Sequence, residues 1–483
     1  MYNVIIFSDA TEPASDFIYD KLPSVPLRSA GPYRIATESR NLNLSTMVIN
    51  FLFSYTMVEM NKVCEKYIGE ETFIVGFSTT FWYTLDKDKQ ELVQYIVNYA
   101  RQFKKIKIII GGTNNNSLNF INSDKIFDGY AETEYSDFLF SVTGKQNNNN
   151  FDFCNSTIKY IPEDYFINDE LSVIEIARGC IFKCKFCAFP LNGKKKLDYI
   201  KDESILKDEL LKNYELFGIT KYQFSDDTLN DSTDKLEMLH RITSSLPFKI
   251  NFSAYIRTEL LYAHREQLPL LKEIGLSSAF LGVETFNKQS GKIIGKAMDG
   301  DKMKEFLYDL KAKHWGSDIK IIVALISGLP GETAQSHKDT ADWIMDTENN
   351  LIDRIRANPL VILNPIHNFS KYKSEFELNS TKYGFYWPNN SAKWKNLSGE
   401  VKSFDQAYDL SKELTECARA TDRDTHTTNF LSLASWSNLT NNPVTFEYLS
   451  SLNRKEYKNW FSKNVGNLTT EYIKYYKEKT ING

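Results

Sequence analysis

The sequence predicts an α/β chain made of two successive parallel sheets followed by a mostly helical tail. Three observations carry this. Short apolar runs alternate with helical-period segments from Val4 to Ile110. The alternation stops at a polar, asparagine-rich stretch, Lys145 to Asn150, and restarts at Val173. It stops again near Asn368, where an aromatic-rich tail begins. Strands alternating with helices imply parallel sheets with ligand space beyond the strand carboxyl ends. The expected divisions are 1–145, a linker at 146–168, a second α/β unit at 169–365 and a tail at 366–483.

In the first unit, Val4-Ile5-Ile6-Phe7 is a buried strand ending in Ser8-Asp9. Gly31-Pro32 opens a helix with Tyr33, Ile35, Ala36 and Leu42 as its apolar positions. Thr46 to Phe51 reads as a second strand, and Met57, Met60, Val63, Cys64 and Tyr67 repeat at helical spacing. Phe73 to Phe77 is a third strand, ending in Ser78-Thr79-Thr80. Leu92, Tyr95, Ile96, Tyr99 and Phe103 mark a helix, and Ile106 to Ile110 is a fourth strand, closed by Gly111-Gly112-Thr113.

In the second unit, Val173 to Ala177 is a strand that runs into a cysteine-rich loop. Tyr222-Gln223-Phe224 ends at Ser225-Asp226-Asp227, and Ser232 caps the next helix. Ile250 to Ala254 ends near Tyr255 and Arg257, and Gly275 stops a helix carrying Leu270, Leu271 and Ile274. Ser278 to Val283 ends at Glu284-Thr285, Lys320 to Leu325 leads into Ser327-Gly328-Leu329-Pro330-Gly331-Glu332, and Ile355 to Leu363 is the sixth strand. Polar groups gather at the strand carboxyl ends, as parallel barrels require. In the tail, Ser403-Phe404-Asp405-Gln406 starts a helix with Ala407, Leu410, Leu414 and Cys417 on one face. More helix is expected around Arg454 to Phe461 and Thr470 to Tyr476; the aromatic content of the tail reads first as core, and an extension that covers an open barrel is the alternative, where substrate would be held.

Composition sets limits. The 483 residues are 42% hydrophobic and 25% charged, ordinary values for a globular chain with large cores. A net charge of −4 supplies no field that recruits nucleic acid or anionic membrane. No basic-then-apolar leader follows Met1 and no apolar run is long enough to span a bilayer, so a cytoplasmic location without membrane contact is expected. Six cysteines in a chain of this length do not make a disulfide framework. Cys64, Cys154 and Cys417 are scattered and read as small hydrophobes.

The other three, Cys180, Cys184 and Cys187, form a C-x3-C-x2-C loop after an apolar strand. Three thiolates on one short loop can converge on a metal centre and leave one coordination position open. On a [4Fe–4S] cluster that position is an iron that takes an exogenous ligand. The alternative is structural zinc, which needs a fourth ligand. No histidine precedes His240, and Cys154 is the nearest candidate.

This spacing, with Ala188-Phe189 after it, resembles the signature of the radical S-adenosylmethionine (SAM) enzymes, and six strand–helix units match that family's partial (β/α)6 TIM barrel. The resemblance implies a [4Fe–4S] cluster on Cys180, Cys184 and Cys187, SAM chelating the open iron, and reductive cleavage of SAM to a 5′-deoxyadenosyl radical. It implies that Ser225 and Asp226 meet the methionine amino group, where an acceptor suits an ammonium. Arg257 would fork onto the SAM carboxylate, and Glu284 would hydrogen-bond the ribose. Gly328 would permit close approach of backbone to adenine, and Phe182 and Phe186 would shield the cluster and pack near adenine, with Phe186 contacting SAM. Each has a plainer reading: a barrel-mouth ion pair for Arg257 and Glu284, helix capping for Asp226 and Asp227, a simple turn for Gly328 to Gly331.

The turns of the first unit resemble those of the Rossmann-like cobalamin (B12)-binding domain that precedes many radical SAM cores. The resemblance places Ser78, Thr80, Gly111 and Gly112 against a corrin and its nucleotide tail, and matches Asp128-Gly129-Tyr130-Ala131-Glu132-Thr133-Glu134 to an acidic glycine-rich segment of that family. The D-x-H-x-x-G motif of base-off cobalamin proteins is absent and the unit holds no histidine, so no imidazole there can ligate cobalt. The alternative is that the sheet is only a scaffold or lid.

The expected function is therefore a radical SAM enzyme, with a cobalamin-dependent methyltransferase acting on an unactivated carbon favoured. Alternatives are a radical SAM oxidation, rearrangement or cyclisation, a methylthiotransferase, and a non-catalytic Fe–S module. A methylthiotransferase of this layout needs a second three-cysteine cluster, and only Cys64 and Cys154 are at hand. A flavodoxin- or ferredoxin-type donor would supply electrons. His367, His426 and Cys417 are the candidate acid–base or hydrogen-donor groups, and the substrate is not named by the sequence.

Overall fold

The computed structural model describes residues 1–12, 25–82, 85–112, 118–146, 150–195, 199–296, 298–366, 368, 370–425 and 430–483. His367 and His426 lie outside the described residues.

The first unit is a five-stranded parallel sheet. Its strands are β1 (Val4–Ser8), β2 (Thr46–Ile49), β3 (Ile74–Ser78), β4 (Lys107–Gly111) and β5 (Lys125–Phe127), in the order β2-β1-β3-β4-β5. All of β1 and β2 is buried, which is why they read as continuous apolar runs. The chain leaves β1 for one side and then returns to its other side at β3, so a switch point lies at the carboxyl ends of β1 and β3, where a crevice opens. Helices α1 (Ala30–Asn41), α2 (Met57–Tyr67), α3 (Lys87–Ala100) and α4 (Glu132–Thr143) cover the two faces. A capping box of Thr56 and Glu59 starts α2, and Asp86 accepts from the Lys89 amide to start α3. The edge strand β5 has only three residues, two of them exposed, too short to leave an apolar pattern in the sequence.

The second unit is a six-stranded, all-parallel sheet. Its strands are β6 (Ser172–Ile174), β7 (Lys221–Phe224), β8 (Asn251–Arg257), β9 (Leu276–Glu284), β10 (Lys320–Ser327) and β11 (Arg354–Pro359), paired in chain order. Neither β6 nor β11 has a second neighbour, so the barrel is open. Helices α5 (Glu203–Phe217), α6 (Thr233–Ser244), α7 (Thr258–Ala263), α8 (Gln267–Ile274), α9 (Lys288–Ile294), α10 (Gly300–Asp309) and α11 (Ala334–Met345) connect the strands. Gly218 and Gly275 end α5 and α8 in left-handed conformations.

The two units share one apolar core. Val4, Ile6, Tyr33 and Tyr135 of the first belong to the same buried cluster as Ile174, Leu206, Phe252 and Leu281 of the second. Ile158, Tyr160 and Phe166 join that cluster, so the connecting chain after residue 150 is packed rather than solvated. Arg40 of α1 holds the fully buried Asp164 through Nη2–Oδ1 at 2.7 Å and Nη1–Oδ2 at 2.9 Å. Only the asparagine run itself is polar throughout.

The tail is shared between the two units. Its aromatic segment does cover the barrel end: Phe376, Phe385 and Trp394 cluster with Ile294, Leu329 and Leu360. Its last two expected helical pieces are one helix, however, Arg454–Asn482, which packs on the first unit. Val465, Leu468, Tyr472 and Tyr476 continue a buried stripe past Gly466 onto Val25 and Phe51. Stripe burial outweighs the roughly 1 kcal/mol helix cost of one glycine. Among the described residues no helix is long and apolar enough to cross a membrane.

Candidate functional site

The cysteine loop leaves β6 and lies at the barrel mouth. Among the described residues no three Cys, His, Asp or Glu groups stand gathered as a metal site. Each thiol instead has its own polar neighbour. Cys180 Sγ is 3.2 Å from Thr228 Oγ1, Arg257 Nη1 is 3.3 Å from Cys184 Sγ, and Asn192 Nδ2 donates to Cys187 Sγ at 3.2 Å. Burial pushes the Cys180 thiol up and the Cys187 thiol up to about 11. The donor set suits an iron–sulfur cluster with one open iron. It supplies three thiols from one loop, and each sulfur already has a hydrogen-bonding group of the kind that tunes such a cluster.

Arg257 ends β8. Its guanidinium lies 3.8 Å over the Phe182 ring, and Nη2 donates to Gly295 O at 3.0 Å. Phe182 therefore screens this cation from water. Phe186 instead packs beside the aromatic cluster of the tail. Glu284 ends β9 with a left-handed φ of 68° and pairs with Lys296 at 3.2 Å. Arg257 and Glu284 do not pair with each other; their partners are Glu259 and Lys296.

Two of the expected site residues serve the fold itself. Asp226 points into the protein: its Oδ1 accepts from the amides of Ile176 and Ala177, both at 3.0 Å, and its Oδ2 faces Lys235 at 3.4 Å. It ties the end of β6 to the barrel and is only 1% exposed. The carboxylate on the open side is Asp227. Burial, and next the Asp226 carboxylate, push Asp227 up to about 6, and its Oδ2 has no hydrogen-bond partner. Packing within the protein by itself requires glycine at Gly328. A Cβ there would meet Ala407 Cβ at 2.6 Å and the Trp394 ring at 3.3 Å, both from the tail.

The same turn buries Glu332, whose carboxylate accepts from the Gly328 amide. Burial pushes it up to about 7. A carboxyl whose folded pKa is raised stabilises the fold below its unfolded pKa and loses that contribution as pH rises to the folded value. Stability should therefore fall between about pH 4.5 and pH 7 by about 3 kcal/mol from this group. Urea titration of Glu332→Gln, which keeps an acceptor, should lack that fall.

A cavity of about 320 Å³ lies between the two units. It lies at the switch point of the first sheet. Ser78, Thr80, Gly111 and Gly112 all line it, and so do Phe189, Ser225 and Asp227 from the barrel side. The amide of Thr79 donates to Gly111 O at 2.8 Å, joining the serine and glycine turns. Gly112 has φ 127°, and a Cβ there would meet Thr80 Oγ1 at 2.7 Å.

The wall between the units is a buried chain of charges that sequence reasoning missed. Arg34 of α1 reaches Glu175 at 2.7 Å, Glu175 meets Arg178 Nε at 3.0 Å, and Arg178 Nη2 reaches Glu132 of α4 at 2.5 Å. Arg178 also stacks over Tyr130 at 4.2 Å and Phe153 at 4.5 Å. Burial would raise the Glu175 carboxyl, yet Arg34 and Arg178 hold it down at about 2. Glu175 and Arg178 immediately precede the cysteine motif, and that adjacency was the one signal available. The Asp128 to Glu134 segment thus closes the cavity: Gly129, Tyr130 and Glu132 line it. Among the described residues that line it there is no histidine, lysine, cysteine or methionine.

Cys417 lies on the helix Phe404–Ala420, half-buried against the barrel core, and does not line the cavity. Cys64 is buried in α2, where desolvation pushes its thiol up to about 12.

Comparison with known proteins agrees with this layout. Residues 174–344 match the Radical SAM superfamily. An uncharacterized methyltransferase of Pyrococcus horikoshii is 25% identical over 187 residues, covering 37% of this chain. The match spans 38% of that relative's length. Among solved structures, the radical SAM methyltransferase TsrM from Kitasatospora setae, with cobalamin and a [4Fe–4S] cluster bound, superposes with a TM-score of 0.60 at 12% identity, covering 96% of this chain and all of that one. The cobalamin-dependent radical enzyme OxsB, with aqua-cobalamin and SAM bound, gives 0.53 at 13% identity, covering 98% of this chain and 72% of that one. These two likenesses establish the three-part fold.

Proposed function

We propose that this chain, which carries a radical SAM domain over residues 174–344, is a cobalamin-dependent radical SAM methyltransferase. In this reading residues 1–145 bind the corrinoid, 146–168 connect, 169–365 form the catalytic barrel and 366–483 close it. The observation that carries the proposal is the single cavity lined by both units. The four residues expected to meet a corrin and the polar residues after β7 face the same space. A sheet serving only as scaffold has no need of a preformed cavity at its switch point.

Cys180, Cys184 and Cys187 would hold a [4Fe–4S] cluster, with Ser225, Asp227, Arg257 and Glu284 around SAM, and Ser78, Thr80, Gly111 and Gly112 around the corrinoid. Bound there, the cluster would supply the electron that cleaves SAM and the corrinoid a transferable methyl group. The chain's own groups have definite tasks. Arg257 holds positive charge beside Cys184, and Phe182 keeps water from it. Asp227, with its pKa near 6, can accept an ammonium hydrogen bond or hold a proton at Oδ2. The Arg34–Glu175–Arg178–Glu132 chain fixes the cysteine loop against the cavity wall. Electrons would come from a flavodoxin- or ferredoxin-type protein, and six free cysteines suit a reducing cytoplasm.

Anaerobic reconstitution with iron, sulfide, SAM, reductant and hydroxocobalamin tests this. The expected result is iron-loaded protein that releases 5′-deoxyadenosine and retains one corrinoid through gel filtration. Ser at any of Cys180, Cys184 or Cys187 should abolish both iron retention and SAM cleavage. Cleavage without corrinoid retention would remove cobalamin and favour a different radical reaction.

A further inference from the structure

The turn after α9 carries no recognised motif, yet three elements of the site are fastened to it. The Lys185 amide, within the cysteine loop, donates to Ile294 O at 3.1 Å. Arg257 Nη2 donates to Gly295 O at 3.0 Å. Lys296 Nζ donates to Gly282 O and faces Glu284 Oε1 at 3.2 Å. Three consecutive residues thus hold the cysteine loop, the guanidinium after β8 and the carboxylate after β9.

Glu284 shows what this fastening achieves. Its φ of 68° is a left-handed conformation that a non-glycine residue adopts only when its surroundings impose it. The register between β9 and β10 shifts between Gly282 and Glu284, so a bulge re-aims the side chain at the barrel mouth. Gly282 leaves room for the device: a Cβ there would meet Glu284 Oε1 at 2.7 Å and Lys296 Nζ at 3.0 Å. Lys296 is itself 8% exposed, and a cation that buried is kept where its two acceptors are. Its own amide donates to Gly291 O at 2.7 Å, which fixes the turn to α9.

We propose that Lys296 is the positioning residue for Glu284 at the SAM site, and that the Ile294–Lys296 turn sets the distance of Glu284 and Arg257 from the cysteine loop. This rests on the reading of the barrel mouth as that site. Lys296 touches no cofactor and acts through the carboxylate. A carboxylate offers only acceptors, as hydroxyl groups of a ligand require.

The test uses anaerobically reconstituted, iron-loaded protein and SAM as the probe, with equilibrium binding and the electron paramagnetic resonance spectrum of the reduced cluster as readouts. Lys296→Met should lower SAM affinity at least about tenfold, with iron and sulfide content unchanged and the SAM-induced spectral change weakened. Lys296→Arg, which restores a cation, should recover most of the affinity. Glu284→Gln should also weaken binding, and adding Lys296→Met to it should cost little more, because the lysine then has nothing to position. Wild-type affinity in Lys296→Met, or losses that multiply in the double variant, would overturn the proposal, as would loss of iron or of fold in both lysine variants. Failure of the wild-type protein to bind SAM is a separate outcome: it overturns the radical SAM reading of the site and this inference with it.

Discussion

Gly111→Phe is expected to give a folded, iron-loaded protein that retains no corrinoid. Gly111 ends β4 and lines the cavity between the two units. A Cβ built there meets no atom within 4 Å, so the added ring has no protein neighbour to displace and occupies the cavity itself. Cores that are already full penalise such additions, whereas an open cavity accepts them. The ring should therefore block a large planar ligand without unfolding the sheet. Corrinoid absorbance should leave the protein on gel filtration, while iron content, the thermal midpoint and SAM binding stay at wild-type values. Gly112→Ala makes the contrast: with φ 127° and Thr80 Oγ1 2.7 Å from the new Cβ, it should lower the thermal midpoint. Full corrinoid retention by folded Gly111→Phe would place the ligand elsewhere.

The second large effect concerns stability. Arg28→Ala should cost about 3–5 kcal/mol in urea unfolding of the metal-free protein. Arg28 is buried where three distant stretches meet. Its Nε donates to Glu170 at 2.6 Å, Nη1 to Tyr33 Oη at 2.9 Å and to Asp164 O at 2.8 Å, and Nη2 to Tyr165 O at 3.0 Å. The guanidinium also lies 4.2 Å over the Phe166 ring and 4.9 Å over Tyr476 of the last helix. Tyr472, from the same helix, donates to Glu170. Removing the cation leaves a buried carboxylate with no positive partner, and desolvation is then uncompensated. Arg241→Ala, which breaks the exposed pair with Glu203, should change stability little, since water solvates both partners. A small effect at Arg28 would mean that the network is hydrated and that the final helix is held by its apolar stripe alone.

Much of the architecture was legible because parallel strands buried on both faces must be apolar throughout. Val4 to Phe7 and Ile106 to Ile110 could hardly be anything else. The turns Ser78 to Thr80 and Gly111-Gly112 were legible for the same reason: they end such strands, and in the folded chain they line the cavity. The three-residue β5 and the continuity of the last helix past Gly466 were not. The first is too short to show a period, and the second depends on a partner surface, Phe51 and Val25, more than 400 positions away in the chain. The Arg34–Glu175–Arg178–Glu132 chain escaped notice because charged residues scattered through a sequence read as solvated until a fold brings them together.

Taken alone, the sequence determined the chemistry available to this protein. Three thiols spaced on one loop are the donor set of the proposed metal centre, and strand–helix alternation commits the chain to parallel sheets whose carboxyl ends gather the polar groups. Only the tertiary structure decided which of those groups face the ligand space. Asp226 and Asp227 are neighbours whose side chains leave the chain on opposite sides, so one ties β6 to the barrel and the other reaches the cavity. Gly328, likewise, is needed by a helix and a tryptophan that arrive from the tail. Side-chain direction is set by what packs on each face, and no local pattern contains that information.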